Sequence, residues 1–257
     1  MLPNELVYLL DDNGKRHFLR AGQGMSKVPG LGVIDSSRLL DVGEGQVIEL
    51  AGSPFVVLRP KAPELMASLD RGAQVIMPKD AATIVFKLAI TARETVIEAG
   101  VGSGSLTTAL LFAVGPGGKV ISVETREDHA AKATRNIGRT GLADRWRLVV
   151  ADAKKVRIED EADCVVMDLP APWEVLDNLG SRLKGGGRLC AYVPNANQVE
   201  ETVKALRAKG YVEVEALENI QRTIEVHEGG VRPAFEMLGH TGYLIFARKT
   251  LASSAKE

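Results

Sequence analysis

Three glycines at alternate positions, Gly100, Gly102 and Gly104 in VIEAGVGSGSLTTAL, follow a β-branched apolar run and precede an apolar helical pattern. Without Cβ atoms they let the backbone turn tightly and leave a ligand close access to it. Such a turn serves dinucleotides and adenosine-containing cofactors alike, so its companions decide. A dinucleotide fingerprint wants another glycine where Ser105 or Leu106 stands, and no lysine follows as in a phosphate-binding loop. Glu124, in KVISVETRED, ends the next strand pattern about 20 residues on, where a carboxylate can accept hydrogen bonds from both hydroxyls of a ribose. Asp152, in RLVVADAKKV, closes the following strand at a height suited to an adenine amino group. Taken singly, each acid has a plainer reading as a solvated strand end. Together they describe a pocket for a nucleoside with a charged arm that is not a phosphate.

A pocket of this kind needs a parallel sheet to hold it. Strand patterns are expected at about 95–99, 119–123, 146–150, 163–168 and 187–193, alternating with helices at about 79–91, 104–113, 127–140, 172–182 and 197–208. Two longer strands, about 211–225 and 241–249, complete the tail. The alternation predicts an α/β fold wound on both faces, with its ligand beyond the carboxyl ends of the strands where their order reverses. Ahead of it, LVYLL, FLR, GVIDSSRLL, QVIEL and FVVLR are punctuated by DDNG, GQG, PGLG, GEG and GSP, the pattern of a small β domain over residues 1–65. RPKAPELMASLDRGAQVIMPKD then reads as a linker with one short helix, counted with the larger domain, 66–257. The final ASSAKE reads as frayed.

Composition bounds the partners. With 257 residues, 45% hydrophobic and 25% charged, the chain can bury a full core, and a net charge of -1 carries no overall basic signature for RNA. Any grip on nucleic acid must come from a local patch or from several subunits. Cys164 and Cys190 lie in apolar runs and read as reduced core residues, and no His, Cys and acid set has metal-ligand spacing, so no metal is expected. No apolar run reaches the roughly 20 residues of a membrane span, and MLPNELVYLLDDNGKR lacks the pattern of a secretory signal. A cytoplasmic protein is expected.

EAGVGSGSLT, VETRED, ADA and MDLPAPW, in this order and spacing, resemble the motifs of class I S-adenosylmethionine-dependent methyltransferases. More narrowly, QVIMPKDAATI, DLPAPWEVL and GGVRPAFEMLGHTGYLIFARK are similar to the tRNA adenine-N1 methyltransferases that modify position 58 of the T-loop. GVIDSSRLLDVGEG resembles that family's N-terminal domain, so the likeness spans nearly the whole chain. The resemblance implies a Rossmann-like seven-stranded sheet, S-adenosyl-L-methionine as cofactor, the tRNA T-loop as substrate and a homotetramer. It implies a cofactor site of Gly100, Gly102, Ser103, Gly104, Ser105, Leu106, Glu124, His129, Asp152, Ala153 and Asp168.

The chemistry asks little of acids and bases. The methyl is already activated on sulfur, so the enzyme must align an acceptor lone pair with the carbon–sulfur bond and exclude water. Methylation of adenine N1 leaves positive charge spread over the ring and its exocyclic amine, which a carboxylate accepting from that amine would stabilise. Asp168, closing ADCVVMD, is the candidate catalytic group; its plainer reading is a cap for the next helix. Leu169 and Pro170 would floor the base, and Met77 and His240 are further substrate-side candidates. Met77 departs from the family pattern, where an aromatic residue or His is common, so only an apolar contact is carried to it. N1 lies on the pairing edge, so the adenine must leave its stack to react. Lys79, Lys155, Arg157, Arg182, Lys184 and Arg232 are candidate phosphate contacts, each with a plainer reading as a solvated surface residue. Trp173 is read as packing and His227 as a turn residue. The alternatives are a class I methyltransferase of a protein isoaspartate or a small molecule, a silent tRNA-binding subunit, and a nicotinamide oxidoreductase.

Overall fold

The computed structural model describes residues 1–50, 52–70 and 75–251; the expectation of a frayed ASSAKE lies outside them. Contacts divide the chain into one unit of Met1–Ser68 with Arg139–Gly141 and a second of Leu69–Gly138 with Leu142–Glu257. The first unit contains β1 (Leu6–Leu10), β2 (Arg16–Arg20), β3 (Met25–Val28), β4 (Gly32–Asp35), β5 (Val47–Leu50) and β6 (Ser53–Leu58). It also takes in the short helix of the expected linker, α1 (Ala62–Ser68). Strands β2, β1, β6 and β5 form one antiparallel sheet and β3 pairs with β4. Alternating inward residues such as Val7, Leu9, Leu19, Phe55 and Val57 make its core.

The second unit runs α2 (Pro78–Lys87), β7 (Thr95–Ala99), α3 (Ser105–Val114), β8 (Lys119–Glu124), α4 (Glu127–Thr140), β9 (Trp146–Val150), β10 (Ala162–Asp168) and α5 (Leu176–Arg182). It continues with β11 (Leu183–Val193), α6 (Ala196–Ala208), β12 (Val212–Glu218), β13 (Ile224–His227), β14 (Gly230–Pro233) and β15 (Tyr243–Arg248). Seven strands stand in the order β12-β15-β11-β10-β7-β8-β9. Neighbours from β11 through β9 pair in parallel, while β15 runs antiparallel to both β11 and β12. Helices cover the sheet, so its central strands are apolar on both faces: Val96, Ile97, Val120, Ile121, Val165 and Val166 are fully buried. The order reverses between β7 and β10, where such sheets bind ligands.

Three expected elements come out differently. The long strand at about 211–225 stops at Glu218, because Asn219 turns away to bond α2: its side-chain amide donates to the Lys79 carbonyl and the Thr83 hydroxyl, each at 2.9 Å. The alternating apolar pattern then resumes in a separate β13–β14 hairpin. The helix at about 172–182 opens as a 3-10 turn over Pro172–Val175 and becomes α-helical only from Leu176. The helix at about 79–91 spans Pro78–Lys87, with Pro78 in its first turn. Cys164 and Cys190 are buried and unpaired. No helix among the described residues is long and apolar enough to cross a membrane.

Candidate active site

The glycine turn joins the end of β7 to α3 at the switch point. Gly100, at φ +86°, lies so close to β10 that a Cβ there would stand 2.0 Å from the Asp168 carbonyl oxygen. Gly104, at φ +83°, is the residue from which α3 begins. Glu124, only 7% exposed, ties the turn down: its Oε2 accepts from the N–H groups of Val101 (3.1 Å) and Gly102 (3.2 Å), and its Oε1 from Arg126 N–H (3.0 Å). A carboxylate has about four acceptor positions, so with three taken one remains for a ligand hydroxyl. The His129 ring stands with Nδ1 3.9 Å from the same carboxylate. Asp152 is exposed, with one oxygen accepting from Lys154 N–H at 2.9 Å, and Ala153 packs into the core behind it.

Two turn residues serve the scaffold. The Ser105 hydroxyl donates to the Ile76 carbonyl at 3.0 Å, and Leu106 is buried. Ser103 differs: its hydroxyl is buried without a partner among the described residues. Glu98, which sequence patterns alone do not single out inside TVIEA, is fully buried beneath the turn. Its Oε2 accepts from the hydroxyls of Thr107 (2.8 Å) and Ser122 (2.6 Å), while its Oε1 has no partner among the described residues. Burial pushes its carboxyl up to about 8, against the pull of the two hydroxyls. An acid inside an otherwise apolar strand is the one signal that points to it.

Beside the turn opens a pocket of about 210 Å³, walled by Ile76, Asp168, Leu169, Pro170, Tyr192 and Pro194. Asp168, Leu169 and Pro170 therefore meet in one place. No hydrogen bond from another described residue reaches the Asp168 carboxylate. The side chain is open to the pocket although protein surrounds it closely. That enclosure, with the Glu124 charge nearby, raises its carboxyl to about 7.

The far wall is assembled from four distant segments. The Tyr192 hydroxyl donates to the Thr241 carbonyl. The Thr241 hydroxyl donates to Asp80 Oδ2 (2.7 Å), and Lys79 Nζ donates to Asp80 Oδ1 (2.8 Å), Thr241 Oγ1 (2.7 Å) and the Asn219 carbonyl (2.5 Å). Asp80 is fully buried. Lys79 is thus held internally, which removes it from the candidate phosphate contacts. His240 bonds Glu218 and the Pro194 carbonyl, and Met77 is half-buried just ahead of α2 without lining the pocket. Lys184 pairs with Asp163 and Arg232 with Glu225, while Lys155 and Arg157 are exposed and Arg182 is half-buried. Trp173 packs against the core, and His227 is exposed at the β13–β14 turn. No cluster of three or more His, Cys, Asp or Glu among the described residues is placed to hold a metal.

Residues 54–231 match the family described as the tRNA methyltransferase complex GCD14 subunit. A Methanocaldococcus jannaschii protein named tRNA (adenine(57)-N(1)/adenine(58)-N(1))-methyltransferase is 34% identical, over 93% of each chain. A Thermus thermophilus tRNA (adenine(58)-N(1))-methyltransferase is also 34% identical, over 96% of this chain and 98% of its own. A solved Thermotoga maritima structure described as an S-adenosylmethionine-dependent O-methyltransferase superposes with a TM-score of 0.86 at 30% identity, covering 99% of this chain and 96% of that one. The Aquifex aeolicus tRNA (m1A58) methyltransferase superposes at 0.78 with 25% identity, covering 98% and 99%.

Proposed function

We propose that this chain, which belongs to the GCD14 family of tRNA methyltransferase subunits, transfers the methyl of S-adenosyl-L-methionine to N1 of adenine 58 in the tRNA T-loop. The observation that carries this reading is the unpartnered Asp168 carboxylate, set between the glycine turn and an apolar-floored pocket.

The residues at the turn fit the cofactor. Gly100 leaves bare backbone where any side chain would collide with β10, Glu124 keeps an acceptor position for a ribose hydroxyl, and the Ser103 hydroxyl and Glu98 Oε1, unpartnered among the described residues, offer polar atoms nearby. Asp152 would take the adenine amine, with His129 over the adenosine. When bound, the cofactor supplies a methyl already activated on a sulfonium. The protein's work is then positional. Leu169 and Pro170 floor the target base and exclude water. Asp168 accepts from the exocyclic amine, and its ionised form is favoured as that amine gains positive charge. Its own lack of hydrogen-bond donors leaves it available for that contact.

The first unit and neighbouring copies in a homotetramer supply the grip on tRNA, in keeping with a net charge of -1 that offers no broad basic face. A cytoplasmic enzyme is implied, and methylation of position 57 depends on how the T-loop shifts in the pocket. The test is incubation of the purified chain with unmodified tRNA transcript and methyl-labelled S-adenosylmethionine, then nucleoside digestion and mass spectrometry. Labelled 1-methyladenosine mapping to the T-loop is expected. Cofactor binding without any labelled nucleoside would overturn the reading. It would favour a different methyl acceptor, such as the oxygen acceptor of an O-methyltransferase like the Thermotoga relative, or a subunit that needs a partner.

A further inference from the structure

His240 lies three residues ahead of β15, the strand between β11 and β12. Its ring bridges the carboxyl ends of those two neighbours. Nδ1 is 2.6 Å from Glu218 Oε1, at the end of β12, and Nε2 is 3.0 Å from the carbonyl oxygen of Pro194, just beyond β11. A carbonyl and an ionised carboxylate can only accept. Both ring nitrogens must therefore carry protons for both bonds to exist, which makes the ring an imidazolium.

The Pro194 end of this bridge reaches the base pocket. Pro194 lines it and is followed by Asn195, which forms a capping box with Gln198 at the start of α6. Gln198 also lines the pocket, and its amide donates to the Pro170 carbonyl at 2.8 Å. A continuous set of contacts thus runs from His240 through Pro194 and the cap of α6 to the loop that follows Asp168.

We propose that His240 is a positioning residue: as an imidazolium it clamps the Pro194 rim against β12, and losing one ring proton releases that rim and the loop carrying Leu169 and Pro170. The inference rests on the pocket being the site of the target base. Glu218 is the stronger acceptor and retains its donor, so deprotonation occurs at Nε2 and the bond that fails is the one to Pro194. The charged and titratable groups facing the ring are Glu218 from β12, Lys79 from α2 and Tyr243 from β15, whose ring centroid is 4.9 Å away. The hydrogen bond to Glu218 raises the His240 pKa above the ordinary 6.5, helped by Pro194 and opposed by solvent loss and Lys79. A raised histidine pKa means that the clamp is complete at low pH and is lost as pH rises through the folded value.

The experiment is a pH titration of the full chain labelled with ¹⁵N-histidine, read beside the pH profile of T-loop methylation at saturating S-adenosylmethionine. Four histidines are present, and His240→Gln assigns the signal. Both His240 nitrogens should be protonated at about pH 6, below the ordinary histidine value, and Nδ1 alone above the transition. The kcat/KM for tRNA should fall about tenfold across the same interval, the scale of one charge-assisted hydrogen bond. Glu218→Gln should move the His240 transition and the falling limb to lower pH together, while the Kd for S-adenosylmethionine holds. A neutral His240 ring at the low-pH end, or a falling limb that stays put when the His240 transition moves, would overturn the proposal. Absence of tRNA methylation at every pH would instead overturn the pocket reading beneath it, because the nitrogen titration needs no substrate.

Discussion

The two sides of the pocket are built by opposite means. On the side proposed for the cofactor, Glu124 holds the glycine turn through backbone amides 22 and 23 residues away, within one β–α–β passage. On the side proposed for the target base, Lys79 and Asp80 meet Asn219 and Thr241 across 140 to 162 residues of sequence. The first geometry is a local property of one turn and the acid that follows it. The second exists only after the whole sheet has formed. Damage to the far wall should therefore reach the methyl acceptor and spare the cofactor.

Asp168 stands where the two sides meet, and its removal tests the division most severely. Asp168→Ala should lower kcat by about 10²–10³-fold, the range found for losing one preorganised electrostatic partner, with tRNA affinity retained. Calorimetry should find the Kd for S-adenosylmethionine within a few-fold of wild type. A matching loss of cofactor affinity would assign Asp168 to the cofactor side and break the division. Gly100→Ala ranks next. Its Cβ would stand 2.0 Å from the Asp168 carbonyl oxygen at a backbone φ of +86°, so β7 and β10 must move apart. Cofactor affinity should fall about tenfold or more and Tm by several degrees, the mark of strain at the junction of two strands. Unchanged binding and melting would show that the turn adapts.

Thr241→Val probes the far wall alone. It removes the hydroxyl that donates to Asp80 and accepts from Lys79, leaving a fully buried carboxylate short of one donor. An unmet group of that kind costs about 1–3 kcal/mol. Steady-state kinetics should show kcat/KM for tRNA down about fivefold, as the Tyr192 face of the pocket loosens, with cofactor affinity unmoved. Equal effects on both ligands would mean that the two sides are mechanically one.

The same contrast governs what is legible in the residues. The alternation of strands and helices, the glycine turn, Glu124 and Asp168 follow local patterns: the turn joins β7 to α3, Glu124 ends β8 and Asp168 ends β10. The Lys79–Asp80–Thr241 network is illegible because its members look like ordinary surface residues until the tail packs beside α2. Lys79 therefore has the look of a phosphate contact in the sequence and the place of a buried tie in the fold. The end of β12 is hidden for the same reason. VEVEALENIQRTIEV alternates at both ends, VEVEA and IEV, with no glycine or proline between them, and Asn219's bonds to α2 turn the chain out of the sheet. Ser105 and Leu106 show the converse: they sit in the right turn yet face Ile76 and the core.

Glu98 is a cofactor-side group whose loss should touch turnover least. Glu98→Gln keeps an oxygen for the Thr107 and Ser122 hydroxyls and places an amide where Oε1 has no partner among the described residues. Its clearest effect is on stability against pH. The folded carboxyl titrates at about 8, above the ordinary 4.5, so between these values the folded chain holds a proton that the unfolded chain has released. Stability must then fall as pH rises from 4.5 to 8 and level off beyond, the sign for an acid whose folded pKa is raised. Asp168, raised to about 7, adds a decline of the same sign below its own value, so the variant is compared with wild type at each pH. Thermal melts should show Glu98→Gln matching wild type near pH 4.5 and exceeding it by a few degrees at pH 8. In the same samples kcat should change by less than about twofold, because Glu98 lies beneath the turn and touches neither the base nor its floor. A weakened Kd for S-adenosylmethionine would show that the unpartnered oxygen is reserved for the cofactor, and that this side of the pocket gives up stability to keep a carboxyl group there.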